Sequence, residues 1–211
     1  MFNRISSLFD NLKISLKNWK TLWFLPNKDL KIHFGCGNIK FPGWLNTDIY
    51  YRDINLTVEP DMYVDITKLL PFRTNSAKYL YSEHLIEHIE VEKISIFFKE
   101  AHRVLKKGGI LRVATPDLNH IARKYLSRDW KRQDWLTWPE YRFIKTPAEM
   151  LNIALRWWGH KYLYDETELR RRLKESGFKK LKRVELGKSK HEGLENLESR
   201  EDSKLIIEAV K

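Results

Sequence analysis

Two glycines, a few carboxylates and a run of histidines carry the chemistry legible in this chain. Lys31-Ile32-His33-Phe34 runs directly into Gly35-Cys36-Gly37. A strand entering a Gly-x-Gly turn lets the backbone approach a ligand beyond the strand's carboxyl end, where open α/β sheets bind. Asp48 and Asp65 end two further extended stretches. Carboxylates at successive strand ends accept hydrogen bonds, so together with the turn they suit a ribose diol and an exocyclic amine. Each aspartate alone is more often a turn or helix cap. A dinucleotide fingerprint is excluded because its third glycine is Lys40, and a phosphate loop because Gly187-Lys188-Ser189 is preceded by Lys182 where that loop needs glycine. His84-Leu85-Ile86-Glu87-His88 has the H-x-x-E-H spacing of inverted zinc proteases, which puts two imidazoles on one helix face. No further His/Glu ligand constellation stands out downstream, so no metal is assigned; a satisfied histidine at a helix start is the plain reading of His88.

Holding these residues together requires alternating strands and helices. Residues 31–34, 44–48, 62–65 and 79–82 read as short strands and 91–106 as a helix stopped by Gly108-Gly109. Residues 109–114 form the clearest strand, and Pro116-Asp117 turns out of it. Asp165 and Glu168 make a capping box for a helix that stops at Gly177. Strands at 182–186 and 204–210 have no helix between them and are expected as an antiparallel pair at the edge of an open, mostly parallel sheet. The polar segment 187–203 reads as a solvated excursion. At the other end, Phe2, Ile5, Phe9, Leu12, Leu16, Trp19 and Trp23 recur at steps of three and four until Pro26. This amphipathic helix over residues 2–24 is expected to dock on the main domain, dispensable for ligand binding. Peripheral membrane contact is its second reading, because Trp, Phe and Lys suit a headgroup layer.

Composition narrows the class. With 42% apolar residues, 9 Gly and 7 Pro in 211 residues, the chain is neither disordered nor collagen-like. The lone Cys36 makes no internal disulfide. No apolar run is long enough for a membrane span, and a cytoplasmic protein is expected. Lys and Arg number 39 against 28 Asp and Glu, and residues 101–145 alone hold 11 basic against 4 acidic side chains. Trp130, Trp135, Trp138, Trp157 and Trp158 lie inside or just after that stretch, where a partner with negative or polar faces is expected.

The combined pattern resembles the class I S-adenosylmethionine-dependent methyltransferases. The resemblance is carried by Phe34-Gly35-Cys36-Gly37-Asn38, Pro42-Gly43-Trp44-Leu45-Asn46-Thr47-Asp48, Val64-Asp65-Ile66 with Leu70-Pro71-Phe72, Tyr81-Ser82-Glu83-His84 through Glu87-His88, Arg103-Val104-Leu105 with Gly108-Gly109, and Thr115-Pro116-Asp117. It covers residues 31–117 and continues loosely through Gly159-His160-Lys161-Tyr162 to the last strands. It is most similar to the methyltransferase type 11-like branch, in which a short Pro-Gly-Trp loop replaces the first crossover helix and acceptors are often glycans or other small molecules. The resemblance implies a Rossmann-like, mostly parallel seven-stranded sheet with helices on both faces and an antiparallel edge hairpin. Residues 1–30 are then an N-terminal helix and linker, and 31–211 the methyltransferase domain, with 118–165 as an acceptor-binding insertion or lid.

For S-adenosylmethionine the resemblance implies that Gly35, Cys36 and Gly37 approach the methionine end, Asp48 binds the ribose hydroxyls, Asp65 and Ile66 the adenine, and that Ser82 and Glu83 lie near the sulfonium. His33 stands where the wider superfamily usually has an acidic residue. Methyl transfer needs the acceptor held in line and water excluded; a base is needed only for a hydroxyl acceptor. His84 is the first candidate and His160 the second, with Glu83, His88 and Asp117 behind them. Each could equally serve as a hydrogen-bond partner for the acceptor. The expected acceptor is a small glycan or related metabolite between the Gly35 loop and residues 118–165. The alternatives are an RNA methyltransferase or RNA-binding protein using the basic, Trp-rich stretch, and a scaffold without turnover.

Overall fold

The computed structural model describes the backbone of residues 2–50 and 57–211 and the side chains of residues 12–50 and 57–211. Seven strands form one sheet: β1 (Leu30–Phe34), β2 (Leu45–Asp48), β3 (Met62–Tyr63), β4 (Ala77–Glu83), β5 (Leu105–Thr115), β6 (Lys180–Arg183) and β7 (Leu205–Val210). Their order is β3-β2-β1-β4-β5-β7-β6. The first five are mutually parallel, while β7 runs antiparallel to β5 and to β6. The expected sheet and edge hairpin are both present.

Side chains alternate across the sheet, so each cross-strand row belongs to one face. Ile32, Leu80, Leu111 and Ala209 are register partners in one row and all are buried. They pack with Phe97 and Phe98 of α2 (Ile94–Val104) and with Leu169 and Leu173 of α5 (Glu166–Glu175). The next row is polar: Asn46, His33, Tyr81, Arg112 and Glu208. On that face Phe41 of the short loop after β1 stacks on the His33 ring, 4.5 Å between centroids, and Trp44 and Phe41 meet Tyr81 edge-on or tilted. The segment between β6 and β7 covers the remainder. It is therefore no solvated excursion. Leu194 is fully buried with Tyr79 and Ile110, and Glu198 takes two hydrogen bonds from the Arg112 guanidinium at 2.6 and 2.9 Å. Arg112 also donates to Glu208 (2.7 Å) and to the Lys188 carbonyl (2.9 Å). The bidentate geometry and full set of acceptors are what make a buried guanidinium tolerable.

Several boundaries differ from expectation for local reasons. Helix α2 ends at Val104, and Leu105 already pairs with Ala77. Regular pairing resumes at Tyr79 and Ile110, so the chain around Gly108, at φ +75°, bulges out of the sheet and is tied to the C-terminus through Gly108 N–H to Lys211 O and Lys211 N–H to Gly109 O. The glycines thus shape a bulge, and do not stop the helix. The strand at Met62 covers two residues, leaving Asp65 beyond its end, and β6 lies two to three residues earlier than 182–186. Asp165 caps α5 by accepting from Glu168 N–H at 2.8 Å. The Glu168 carboxylate is drawn instead to Arg171 and Arg172, and the reciprocal capping box occurs at Thr146 and Glu149, opening α4 (Pro147–Arg156).

Residues 118–165 build a small second core. Ile121 of α3 (Leu118–Leu126), Trp130, Trp135, Tyr141, Met150 and Ile153 pack together, so Trp130 and Trp135 are mainly structural, whereas Trp138, Trp157 and Trp158 remain partly exposed. Helix α1 (Phe2–Phe24) lies along the β3 edge of the sheet. The Asn18 side chain donates to Tyr63 O (2.8 Å) and accepts from Tyr63 N–H (3.0 Å), taking the place of a neighbouring strand, while Thr21 donates to Asp61 O and Lys17 pairs with Glu59. The helix docks as expected, but through this polar side. Its apolar stripe from Leu12 to Trp23 faces outward; the side chains of Phe2, Ile5 and Phe9 lie outside the described residues.

Candidate active site

The carboxyl ends of β1, β2, β4 and β5 open into two adjoining cavities. The larger, about 1090 Å³, lies over the β1 turn and is lined by Gly35, Cys36, Gly37, Asp48, Asp65 and Ile66, as expected, together with His33, Glu83, His84 and His88. Gly35 has φ +68°, and a Cβ there would stand 2.9 Å from Leu85; Gly37 has φ +50° and open space where its Cβ would be. The turn is therefore pinned from behind and open in front, a cradle suited to close approach by a ligand. Asp48 holds it in shape: Oδ2 accepts from Gly37 N–H and Oδ1 from Ile49 N–H, each at 2.7 Å. Asp65 accepts from the backbone and hydroxyl of Thr67 and pairs with Lys68. Both aspartates thus perform the turn-building role as well as facing the cavity, and a carboxylate retains acceptor capacity beyond such contacts.

Burial pushes His33 down to about 4, against a smaller opposing effect of its contact with Asn46, so the ring is neutral near pH 7. A neutral imidazole therefore occupies the position where an acidic side chain is usual. Burial, with Asp48 close by, pushes the Cys36 thiol up to about 12, which leaves it protonated and unsuited to nucleophilic chemistry.

Two of the expected contacts change. Ser82 is buried and lines neither cavity; its Oγ has no hydrogen-bond partner among the described residues. The Glu83 carboxylate, though at the cavity wall, accepts from Ser199 N–H and Oγ, Arg200 N–H and Ser203 Oγ. Its main work is to clamp the segment before β7 over the strand end.

The second cavity, about 540 Å³, lies between the strand ends and the 118–165 insertion. Trp135, Trp138 and Trp158 supply aromatic wall, and Lys124, Arg132, Arg200 and Lys204 supply cations. Trp130 does not line it. The two cavities share His84, His88, Trp158 and Arg200. His84, at φ +47°, turns out of β4 with Nδ1 3.2 Å from Glu87 Oε1 and Nε2 3.5 Å from Asp202 Oδ1. Glu87 is fully buried. Burial alone would raise its carboxyl, but the contact with His84 and the charges of His84 and His88 outweigh that and hold it below its ordinary range. Thr115 Oγ1 donates to its other oxygen at 3.0 Å. The result is an imidazole set beside a buried carboxylate.

His160 lines only the second cavity, with Nδ1 2.8 Å from Ala154 O. Its ring lies 5.1 Å from that of His88, whose pKa burial lowers. Donor atoms of Glu87, His88 and His160 lie within 4.8 Å of one another, a set that could accept a cation. Asp117 caps α3 and pairs with Arg183, which occupies its carboxylate. Asp202 and Arg200 carried no sequence signal, because only the folding of the segment before β7 onto Glu83 brings them to the site.

Residues 32–113 match the methyltransferase domain family. Those residues carry a class I S-adenosylmethionine-dependent methyltransferase domain. Among solved structures, the fold is similar to that of a protein from Thermotoga maritima described as an S-adenosylmethionine-dependent methyltransferase and possible histamine N-methyltransferase (17% identity over 100% of this chain and 96% of that one, TM-score 0.53). It is also similar to an S-adenosylmethionine-dependent methyltransferase from Archaeoglobus fulgidus (14% identity, 93% and 92% covered, TM-score 0.52). No curated protein matches significantly. The methyltransferase cofactor is S-adenosylmethionine, and the open Gly35–Gly37 cradle, with Asp48 and Asp65 lining the same cavity, fits it.

Proposed function

We propose that this methyltransferase modifies a hydroxyl or amine of a small glycan or related polar metabolite held in the 540 Å³ cavity. The observation that carries the reading is the shared wall: His84 and His88 border both the cofactor cradle and the second cavity, so an acceptor there can be held in line with the donor. Bound S-adenosylmethionine supplies an electrophilic methyl group on a sulfonium. The chain's own residues do the rest. His84, which lines both cavities with Nδ1 3.2 Å from Glu87, would take the proton of an acceptor hydroxyl as its oxygen receives the methyl group; an amine need only arrive neutral. Asp202 beside Nε2 supplies negative charge to the imidazolium so formed. Tryptophan faces with Arg132, Arg200 and Lys204 suit a sugar ring bearing an anionic group.

The test is S-adenosylhomocysteine formation on a panel of sugar nucleotides, oligosaccharides and RNA at 50 and 200 mM salt, run beside calorimetric titration with S-adenosylhomocysteine. Turnover on a small acceptor should change little over that range, whereas an RNA acceptor that neutralises several phosphates would lose orders of magnitude in affinity. Methylation of RNA alone with a steep salt dependence would refute the acceptor class. A folded protein that binds no S-adenosylhomocysteine at millimolar concentration would refute the cofactor site.

A further inference from the structure

We propose that α1 is a peripheral anchor that seats the protein on an anionic membrane surface. Leu12, Leu16, Trp19 and Trp23 are 57%, 58%, 64% and 72% exposed and follow one another along one side of the helix over about 17 Å. An amphipathic helix of a globular protein normally turns such a stripe inward. Here the opposite side is already committed: Lys17, Asn18 and Thr21 bind Glu59, Tyr63 and Asp61, and Leu22 packs against the core. The docking contacts therefore fix the helix with its apolar residues pointing away from the protein.

The charges beside the stripe select the occupant. From Leu12 to Lys28 the chain carries Lys13, Lys17, Lys20 and Lys28 and no carboxylate. Lys13 and Lys20 are exposed and, at 100° per residue, flank the same edge of the stripe. A second copy of the helix would set lysine against lysine with nothing on α1 between Leu12 and Phe24 to neutralise them. An anionic headgroup layer neutralises both while taking in Leu and Trp side chains, whose indoles suit the boundary between headgroup and acyl chain. No helix among the described residues is long and apolar enough to cross a membrane, so the helix lies on the surface.

The experiment is flotation of the full chain with vesicles of phosphatidylcholine alone or with about a quarter phosphatidylglycerol, with tryptophan emission followed in parallel. The wild type should float with the anionic vesicles and shift its emission to the blue. W19Q/W23Q should lose at least about tenfold in partitioning, and K13Q/K20Q about fivefold per lysine on anionic vesicles. Both variants should bind S-adenosylhomocysteine as the wild type does, which shows that they fold. Failure of the wild type to float would overturn the proposal. So would a concentration-dependent dimer, without vesicle binding, that W19Q/W23Q dissociates; that result would assign the stripe to a second copy.

Discussion

His84 departs from β4 in the left-handed backbone region, where a side chain other than glycine is uncommon, and histidine is among the few residues enriched there. Such a conformation, beside a buried carboxylate and at the wall of two cavities, points to use of the ring rather than packing. His84→Gln is expected to lower kcat on a hydroxyl acceptor by roughly 10²–10⁴-fold while calorimetry still detects S-adenosylhomocysteine. Glu87→Gln removes the negative charge 3.2 Å from His84 Nδ1 and should also lower kcat on a hydroxyl acceptor; an unchanged rate would reduce Glu87 to a packing role. Asp48→Ala removes contacts to the turn and the expected ribose partner together, and should weaken S-adenosylhomocysteine binding by about 1–3 kcal/mol. His33 gives a separate signature. Its pKa is about 4 in the folded chain against 6.5 unfolded, so the unfolded state binds more protons between those values and stability falls as pH drops from 6.5 to 4. The full effect is about 3 kcal/mol, and denaturant titrations at pH 4.5 and 7.5 should show His33→Phe flattening that limb.

The segment joining β6 and β7 is tied down from inside the sheet by the buried Arg112 guanidinium, as well as by Glu83 at the strand end. Arg112→Met would leave Glu198 and Glu208 buried without their cation and should cost about 3–5 kcal/mol in denaturant unfolding. Thr146→Ala, which removes only the cap of α4, should cost about 1 kcal/mol. If the two proved equal, the segment would not depend on Arg112. This contrast also marks what the sequence can disclose. The Gly-x-Gly turn, the acidic strand ends and the parallel order are local patterns, readable because backbone geometry restricts which residues stand there. The Arg112–Glu198 pair spans 86 positions, and an arginine inside an alternating strand reads as solvent-facing until something is known to cover it. The tryptophans show the same ambiguity: Trp130 and Trp138 look alike in a basic stretch, yet one closes a core while the other lines a cavity. Glu87 was visible in the H-x-x-E-H spacing, but its partner His84 and its support from Thr115 belong to the fold.

At the scale of the molecule, a sheet of this kind has two raw edges, and this chain treats them differently. The outer strand β6, with Lys180, Lys182 and Arg183 along it, carries charges that discourage another strand from joining. β3 is short and carries no such charge; it is occupied instead by the amide of Asn18, which meets both backbone groups of Tyr63. Removing α1 would therefore do more than release the protein from a surface. A chain starting at Asn27 should still fold and bind S-adenosylhomocysteine, yet light scattering should show it self-associating with rising concentration, and Asn18→Leu in the full chain should reproduce part of that behaviour. A single side-chain amide thus works as a counterfeit strand, closing an edge that another chain could otherwise join, from a residue outside both cavities.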